Sequence, residues 1–108
     1  MALADPEKID FIGIAPDGYC VLTIADDLDW SEPEQHIMAL KEKLNTYVDF
    51  IRSGEIENAY PAGRNNELKI LVALRDQPPT SGVEFFTTAK QTITALGIEF
   101  SWQVFHRD

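Results

Sequence analysis

The chain has 108 residues, of which 44% are hydrophobic and 10% aromatic, and its formal net charge is −9. This length and composition predict one compact domain, residues 1–108, and no run approaches the roughly 18 apolar residues that would cross a membrane. The negative charge repels phosphate backbones, which argues against nucleic-acid binding. Asp5, Glu7 and Asp10 lie where a secretory signal would be basic and then apolar, so we expect a cytoplasmic protein.

Two apolar strands, residues 8–14 and 19–24, flank the tetrapeptide Ala15-Pro16-Asp17-Gly18. Proline presets the backbone of such a turn and glycine supplies a positive φ, so the strands are predicted to form a hairpin. Cys20 is the only cysteine, which excludes an intramolecular disulfide and a thiol-based zinc site. Its place in an apolar strand favours a buried small hydrophobe over a reactive thiol.

A long amphipathic helix is predicted after the second strand. Ser31 followed by Glu34 matches a capping box, and Pro33 is tolerated because first-turn amides need no partner within the helix. Gly54 is placed to end the helix in a left-handed conformation. The apolar residues at helical spacing are Ile37, Leu40, Leu44, Tyr47, Val48 and Ile51.

The rest of the chain is predicted to contain a strand, a helix and a strand. Residues 55–60 fit either a short strand or a helical descent into a turn, and residues 68–74 alternate as a strand with one buried face. Ser81 with Glu84 matches a second capping box, and Gly97 ends that helix. The final strand places these residues on one face: Ile98, Phe100, Trp102 and Val104.

The resulting order, β-β-α-β-β-α-β, resembles the ferredoxin-like split arrangement with an extra edge strand. It predicts an α+β fold in which two helices cover one face of a mainly antiparallel sheet of four to five strands. If residues 55–60 are not a strand, a four-stranded α+β sandwich remains. The other sheet face would then be open and modestly apolar, a feature typical of self-association. The residues expected on that face are Tyr19, Val21, Leu71, Ala73 and Phe105.

The negative charge is concentrated in the first part of the chain. Residues 1–60 contain 13 of the 18 acidic residues and four of the nine basic ones, and no basic residue lies between Lys8 and Lys41. Such a surface attracts a basic partner and speeds encounter with it, although charge that only maintains solubility is the plain alternative. The residues predicted to bind a partner are Asp26, Asp27, Asp29, Trp30, Glu32 and Glu34.

These residues also have simpler interpretations. The carboxylates lack the central glycine and terminal glutamate of a calcium loop, so no metal site is predicted, and favourable interaction with a helix N-terminus can explain them. Trp30 could anchor a partner or pack beneath the helix, and the core interpretation is favoured.

No local motif indicates catalysis. There is no nucleophile–base pair, metal-ligand set or phosphate-cradling loop, so neither an enzyme nor a cofactor is predicted. His36 is expected at the edge of the buried stripe, bonded to a carboxylate. The other histidine, His106, lies near the C-terminus.

Several motifs in residues 9–61 resemble an uncharacterised bacterial family of small domains: IDFIGI from Ile9, VLTI from Val21, then Asp26, Leu28-Asp29-Trp30, His36, EKLN from Glu42, Tyr47, Phe50-Ile51, SGEI from Ser53 and Tyr60-Pro61. The resemblance implies the fold and a bacterial origin, and it carries over no catalytic residue. In size and charge the chain is similar to immunity proteins of bacterial toxin systems.

Two hypotheses about function follow. The leading one is a non-enzymatic protein-interaction module, most specifically an immunity-like inhibitor of a basic toxin or similar basic protein. The second is a ligand-binding or regulatory domain that forms a homodimer through its open sheet face.

Overall fold

The computed structural model describes residues 8–61 and 66–105. The elements are β1 (Phe11–Ile14), β2 (Cys20–Asp26), α1 (Pro33–Arg52), α2 (Glu55–Ala59), β3 (Leu68–Leu74), α3 (Thr80–Thr94) and β4 (Glu99–Val104). The strands form one sheet in the order β1-β2-β3-β4. β1 pairs antiparallel with β2, whereas β2, β3 and β4 are parallel. The chain is therefore α+β, with a mixed four-stranded sheet and three helices.

The predicted hairpin is confirmed. Gly18 has a φ of +92°, and its amide donates to the Ala15 carbonyl oxygen at 2.9 Å. The amide of Ala15 donates in turn to the Tyr19 carbonyl oxygen at 2.8 Å. The turn sets the antiparallel register in which Phe11 lies opposite Thr23.

The ferredoxin-like order and the mainly antiparallel sheet were wrong predictions. Residues 55–59 form the short helix α2, which buries Ile56, so the strand expected there is absent from the described structure. Gly54, with a φ of +85°, separates α1 from α2. Each link between β2, β3 and β4 is consequently a helical crossover, and crossovers of this kind join parallel neighbours. The four-stranded alternative is the one observed.

The core lies between the sheet and the helices. Alternate residues of the central strands are buried, as a sheet with one covered face requires. Cys20 is fully buried, and burial raises the pKa of its thiol, so the small-hydrophobe interpretation is confirmed. The buried hydrophobic residues are Cys20, Leu22, Ile24, Leu40, Leu44, Tyr47, Ile56, Ile70, Val72, Leu74, Phe86, Ile93, Ile98 and Phe100.

Both capping-box predictions were wrong. α1 begins at Pro33 with Glu32 as its N-cap, and no side chain caps it. Ser31 instead donates its hydroxyl to Asp29 Oδ1 at 2.6 Å, because the Asp29 carboxylate organises the turn that precedes the helix. The second helix, α3, begins at Thr80 with Pro79 as N-cap, again without a side-chain cap.

Ser31→Ala should therefore change the free energy of unfolding by less than about 0.5 kcal/mol, the usual range for an exposed surface substitution. A capping serine would contribute about 1 kcal/mol. Urea denaturation of the two proteins measures the difference. A loss of 1 kcal/mol or more would contradict the observation that Ser31 does not cap α1.

Candidate functional site

The segment that was predicted to bind a partner, residues 26–34, connects the carboxyl end of β2 to the first turn of α1. Asp26 is the last residue of β2 and continues its buried face, so it points toward the helices and is only 3% exposed. Its Oδ2 lies 2.5 Å from His36 Nε2, and its Oδ1 accepts the Leu28 amide at 3.1 Å. Asp26 therefore organises the segment from within the protein. The expectation that His36 bonds a carboxylate is confirmed.

Both ring nitrogens of His36 make hydrogen bonds within the protein. Nδ1 lies 2.9 Å from the Asp29 carbonyl oxygen, which can only accept, so this nitrogen carries a hydrogen. Nε2 faces the Asp26 carboxyl group, so both ring nitrogens are engaged by oxygen atoms of this segment. The two side chains are thereby joined directly in the interior of the protein.

Trp30 packs against three parts of the structure. Its ring stacks on His36 with 3.7 Å between the ring centroids, and its edge meets Phe86 of α3. The indole N–H donates to the Asp76 carbonyl oxygen at 3.2 Å. At Gly82 an added Cβ would lie 3.1 Å from the indole, so the glycine gives the ring room. Trp30 is half-buried against the core, in agreement with the favoured interpretation.

The other four predicted residues, Asp27, Asp29, Glu32 and Glu34, are exposed. The Asp29 side chain is 59% exposed and accepts the hydroxyl and amide of Ser31. These two bonds, together with Arg75 4.0 Å away, lower the pKa of the Asp29 carboxyl. The structure thus divides the segment into buried anchors and exposed carboxylates.

A second buried polar cluster joins Asp10, the residue before β1, to β2 and α1 and was not predicted. Lys43 is fully buried, and its Nζ lies 3.0 Å from Asp10 Oδ1. Asp10 Oδ2 accepts the Ala25 amide at 3.1 Å. The Tyr47 hydroxyl donates to the Thr23 carbonyl oxygen at 2.9 Å and accepts the Asp10 amide at 2.8 Å. Burial is the main cause that raises the pKa of Tyr47.

The cluster had a detectable signal in the sequence. Lys43 lies three residues after Leu40 and four before Tyr47, which places it inside the apolar stripe of the helix. A lysine at such a position needs a buried partner.

Four side chains that could take part in acid–base or nucleophilic chemistry are buried. Cys20, His36, Lys43 and Tyr47 are each at most 3% exposed. Among residues 8–61 and 66–105, no group of three or more histidine, cysteine and carboxylate side chains could hold a metal ion. No helix in the same ranges is long and apolar enough to span a bilayer. His106 lies outside the described residues.

This geometry presents carboxylates to solvent on a turn whose buried side is held in place by hydrogen bonds and packing. Comparison with known proteins adds the family but no activity. No curated protein and no solved structure matches the chain. The sequence model of the family of unknown function DUF6572 matches residues 1–106, so the chain belongs to that family.

Proposed function

We propose that this chain is a non-enzymatic interaction module that binds a basic protein, most specifically an immunity-like inhibitor of a basic bacterial toxin. The surface involved is the exposed carboxylate segment, which we define as Asp27, Asp29, Glu32 and Glu34. Asp26 is left out of it because its carboxylate is buried against His36. Trp30 packs between this segment and the core.

One observation carries this proposal: the structure separates acids that have an internal partner from acids that face solvent. Asp10 and Asp26 belong to the same acidic half but are paired with Lys43 and His36 in the interior. Four carboxylates remain exposed within eight consecutive residues, on a turn fixed by Asp26 and Trp30. The only cation within 4.0 Å of them in the described structure is Arg75, which lies closer to Asp76.

A fixed cluster of one sign is suited to steering an oppositely charged partner. Its field acts before contact, so it raises the association rate more than it slows dissociation. Because the turn is already organised, little conformational entropy is lost when a partner binds it. We place this interaction in the bacterial cytoplasm, in keeping with the single cysteine, which suits a reducing compartment.

The test is charge reversal of the exposed carboxylates. The variant Asp27→Lys/Glu32→Lys/Glu34→Lys leaves the buried pair intact and spares Asp29, which organises the turn. Its matched control, Glu55→Lys/Glu57→Lys/Glu99→Lys, makes the same change in net charge with exposed residues of α2 and the amino end of β4. The partner is captured by cross-linking in the native host, identified by mass spectrometry and purified.

Association rates are then measured by surface plasmon resonance between 0.1 and 1 M salt, where the screening length falls from about 10 Å to about 3 Å. We expect the first variant to associate at least 10-fold more slowly than wild type, and the control much less so. Equal slowing by both variants, or a rate that does not respond to salt, would contradict a specific acidic binding surface.

A further inference from the structure

The outer edge of β4 is regular over its whole length. In the described structure β4 pairs only with β3, and its six residues keep one continuous register without a bulge. Proteins usually blunt such an edge with a lysine, a proline or a bulge, because its unpaired backbone groups can bind another strand. Residues 98–105 contain no lysine, arginine, proline or glycine. The opposite edge strand, β1, has only four residues, so β4 is the edge better suited to strand addition.

The backbone groups that face this free edge follow from one hydrogen bond. The amide of Phe105 donates to the Leu74 carbonyl oxygen at 2.8 Å, so the backbone of Phe105 faces β3. Successive residues of a strand direct their backbone groups to opposite sides. Phe100, Trp102 and Val104 therefore face outward. Their three N–H donors and three C=O acceptors have no strand partner in the described structure.

An aromatic surface lies beside this edge, on the helix side of the sheet. Trp102 is half-buried and stacks on Phe86 of α3 with 5.2 Å between ring centroids, and Phe85 lies against the same ring. Side chains that are opposite each other on neighbouring strands approach to about 5 Å, so a side chain of an added strand would contact Trp102. Apolar residues at alternate positions of that strand suit this surface.

The carboxyl end of β4 lies at the acidic end of the sheet. Asp26, Leu74 and Val104 form one lateral row in the register of the three parallel strands, so the ends of β2 and β4 are about 10 Å apart. The exposed carboxylate segment follows β2, and Asp76 follows β3. Arg75 is the one basic residue in the segments that join these two strands to α1 and α3. The last three residues of the chain add one basic and one acidic side chain. This end is therefore net negative and attracts basic side chains on an added strand.

We propose that the free edge of β4 is the docking site for an extended segment of the basic partner. The segment pairs with the backbone of Phe100, Trp102 and Val104 and directs basic side chains toward the exposed carboxylate segment. Its extended conformation follows from the row it must match, in which donors and acceptors repeat every two residues, about 7 Å. The charge of the segment rests on the proposed function, to which this proposal adds a conformation and a strand.

The first test uses the whole chain and a synthetic peptide of six alternating threonine and valine residues with two arginines at each end. Arginines at both ends serve either strand direction. Amide hydrogen exchange followed by NMR should show Ser101 and Gln103 protected from the start, because they face β3. At a peptide concentration ten times its dissociation constant, exchange of Phe100, Trp102 and Val104 should slow about 10-fold.

Two control peptides separate backbone pairing from charge. N-methylation of the six central residues removes their N–H donors and leaves the arginines, so this peptide should not protect β4. Glutamates in place of the arginines leave the backbone intact, and repulsion at the acidic end should weaken binding. Protection of β4 by the N-methylated peptide, or equal binding of the arginine and glutamate peptides, would overturn the proposal.

The matching change in the chain is Val104→Pro, which removes one outward N–H and no hydrogen bond to β3. Proline is tolerated on edge strands. The variant should bind the arginine peptide about 5- to 10-fold more weakly, the effect of one lost hydrogen bond. Val104→Thr is its control, since it keeps the N–H and the branched shape, and should bind like wild type. If Val104→Pro fails to fold, the N-methylated peptide provides the same comparison.

The purified partner then distinguishes this proposal from the proposed function. A partner that responds to charge reversal of the carboxylates but leaves the outward amides of β4 exchanging freely contradicts strand docking alone. A partner that protects those amides but does not respond to charge reversal contradicts the acidic surface alone. Protection that rises with the concentration of the chain by itself would assign the edge to a second copy and overturn docking of a basic segment.

Discussion

Asp26→Ala should lower the free energy of unfolding by about 2–5 kcal/mol, because it leaves two hydrogen-bonding groups without their partner at a cost of about 1–3 kcal/mol each. The substitution removes the carboxylate that faces His36 Nε2 and the acceptor of the Leu28 amide. His36 is buried and the Leu28 amide is partly buried, so water does not fully replace the lost hydrogen bonds. The released turn should also expose the indole of Trp30, which stacks on the same histidine.

Urea denaturation followed by tryptophan fluorescence measures this effect, and Asp27→Ala is its control. Asp27 is the next residue, has the same side chain and is exposed. Its replacement should leave the stability unchanged within error. If the two alanine variants unfold at the same urea concentration, Asp26 is not the buried anchor that we describe.

Lys43→Met should be comparably destabilising, by about 3–5 kcal/mol. Methionine retains much of the apolar length of lysine but removes the ammonium group, so the Asp10 carboxylate, whose side chain is 6% exposed, loses its cation. The expected loss of stability therefore reflects the missing charge more than a change in packing. It is measured by the same denaturation experiment.

Lys41→Met is the matched control, since Lys41 lies two residues away on the exposed side of α1. The double variant Asp10→Asn/Lys43→Met should recover part of the lost stability, because neither charge is then left alone in the interior. Additive losses from the two substitutions would show that Asp10 and Lys43 are not coupled.

The predictable parts of this fold were those in which a local pattern has one interpretation. The hairpin followed from Pro16 and Gly18, whose backbone preferences dictate the turn. The helical stripe and the alternation of β3 likewise indicated the correct elements, because burial on one face imposes a fixed period. Residues 55–59 are too few for their pattern to distinguish a strand from one turn of helix. That ambiguity is the reason the predicted topology was wrong.

The candidate site was only partly predictable because the residue type does not distinguish a buried carboxylate from an exposed one. The alternation of β2 does indicate that Asp26 is buried, since Asp26 continues the buried series of Cys20, Leu22 and Ile24. Capping was mispredicted for a different reason: Ser31 had a nearer partner in Asp29. Such competition between local hydrogen bonds is decided by geometry, which the residue types alone do not specify.

The order of strands in the sheet repeats their order along the chain. Each new strand is therefore added at one growing edge, and none has to be inserted between two that are already paired. During synthesis from the N-terminus, the hairpin can assemble first and offer β2 as a template for β3, which in turn templates β4. Assembly in this order joins each strand only to one adjacent in the chain, which limits the loop that must close at every step.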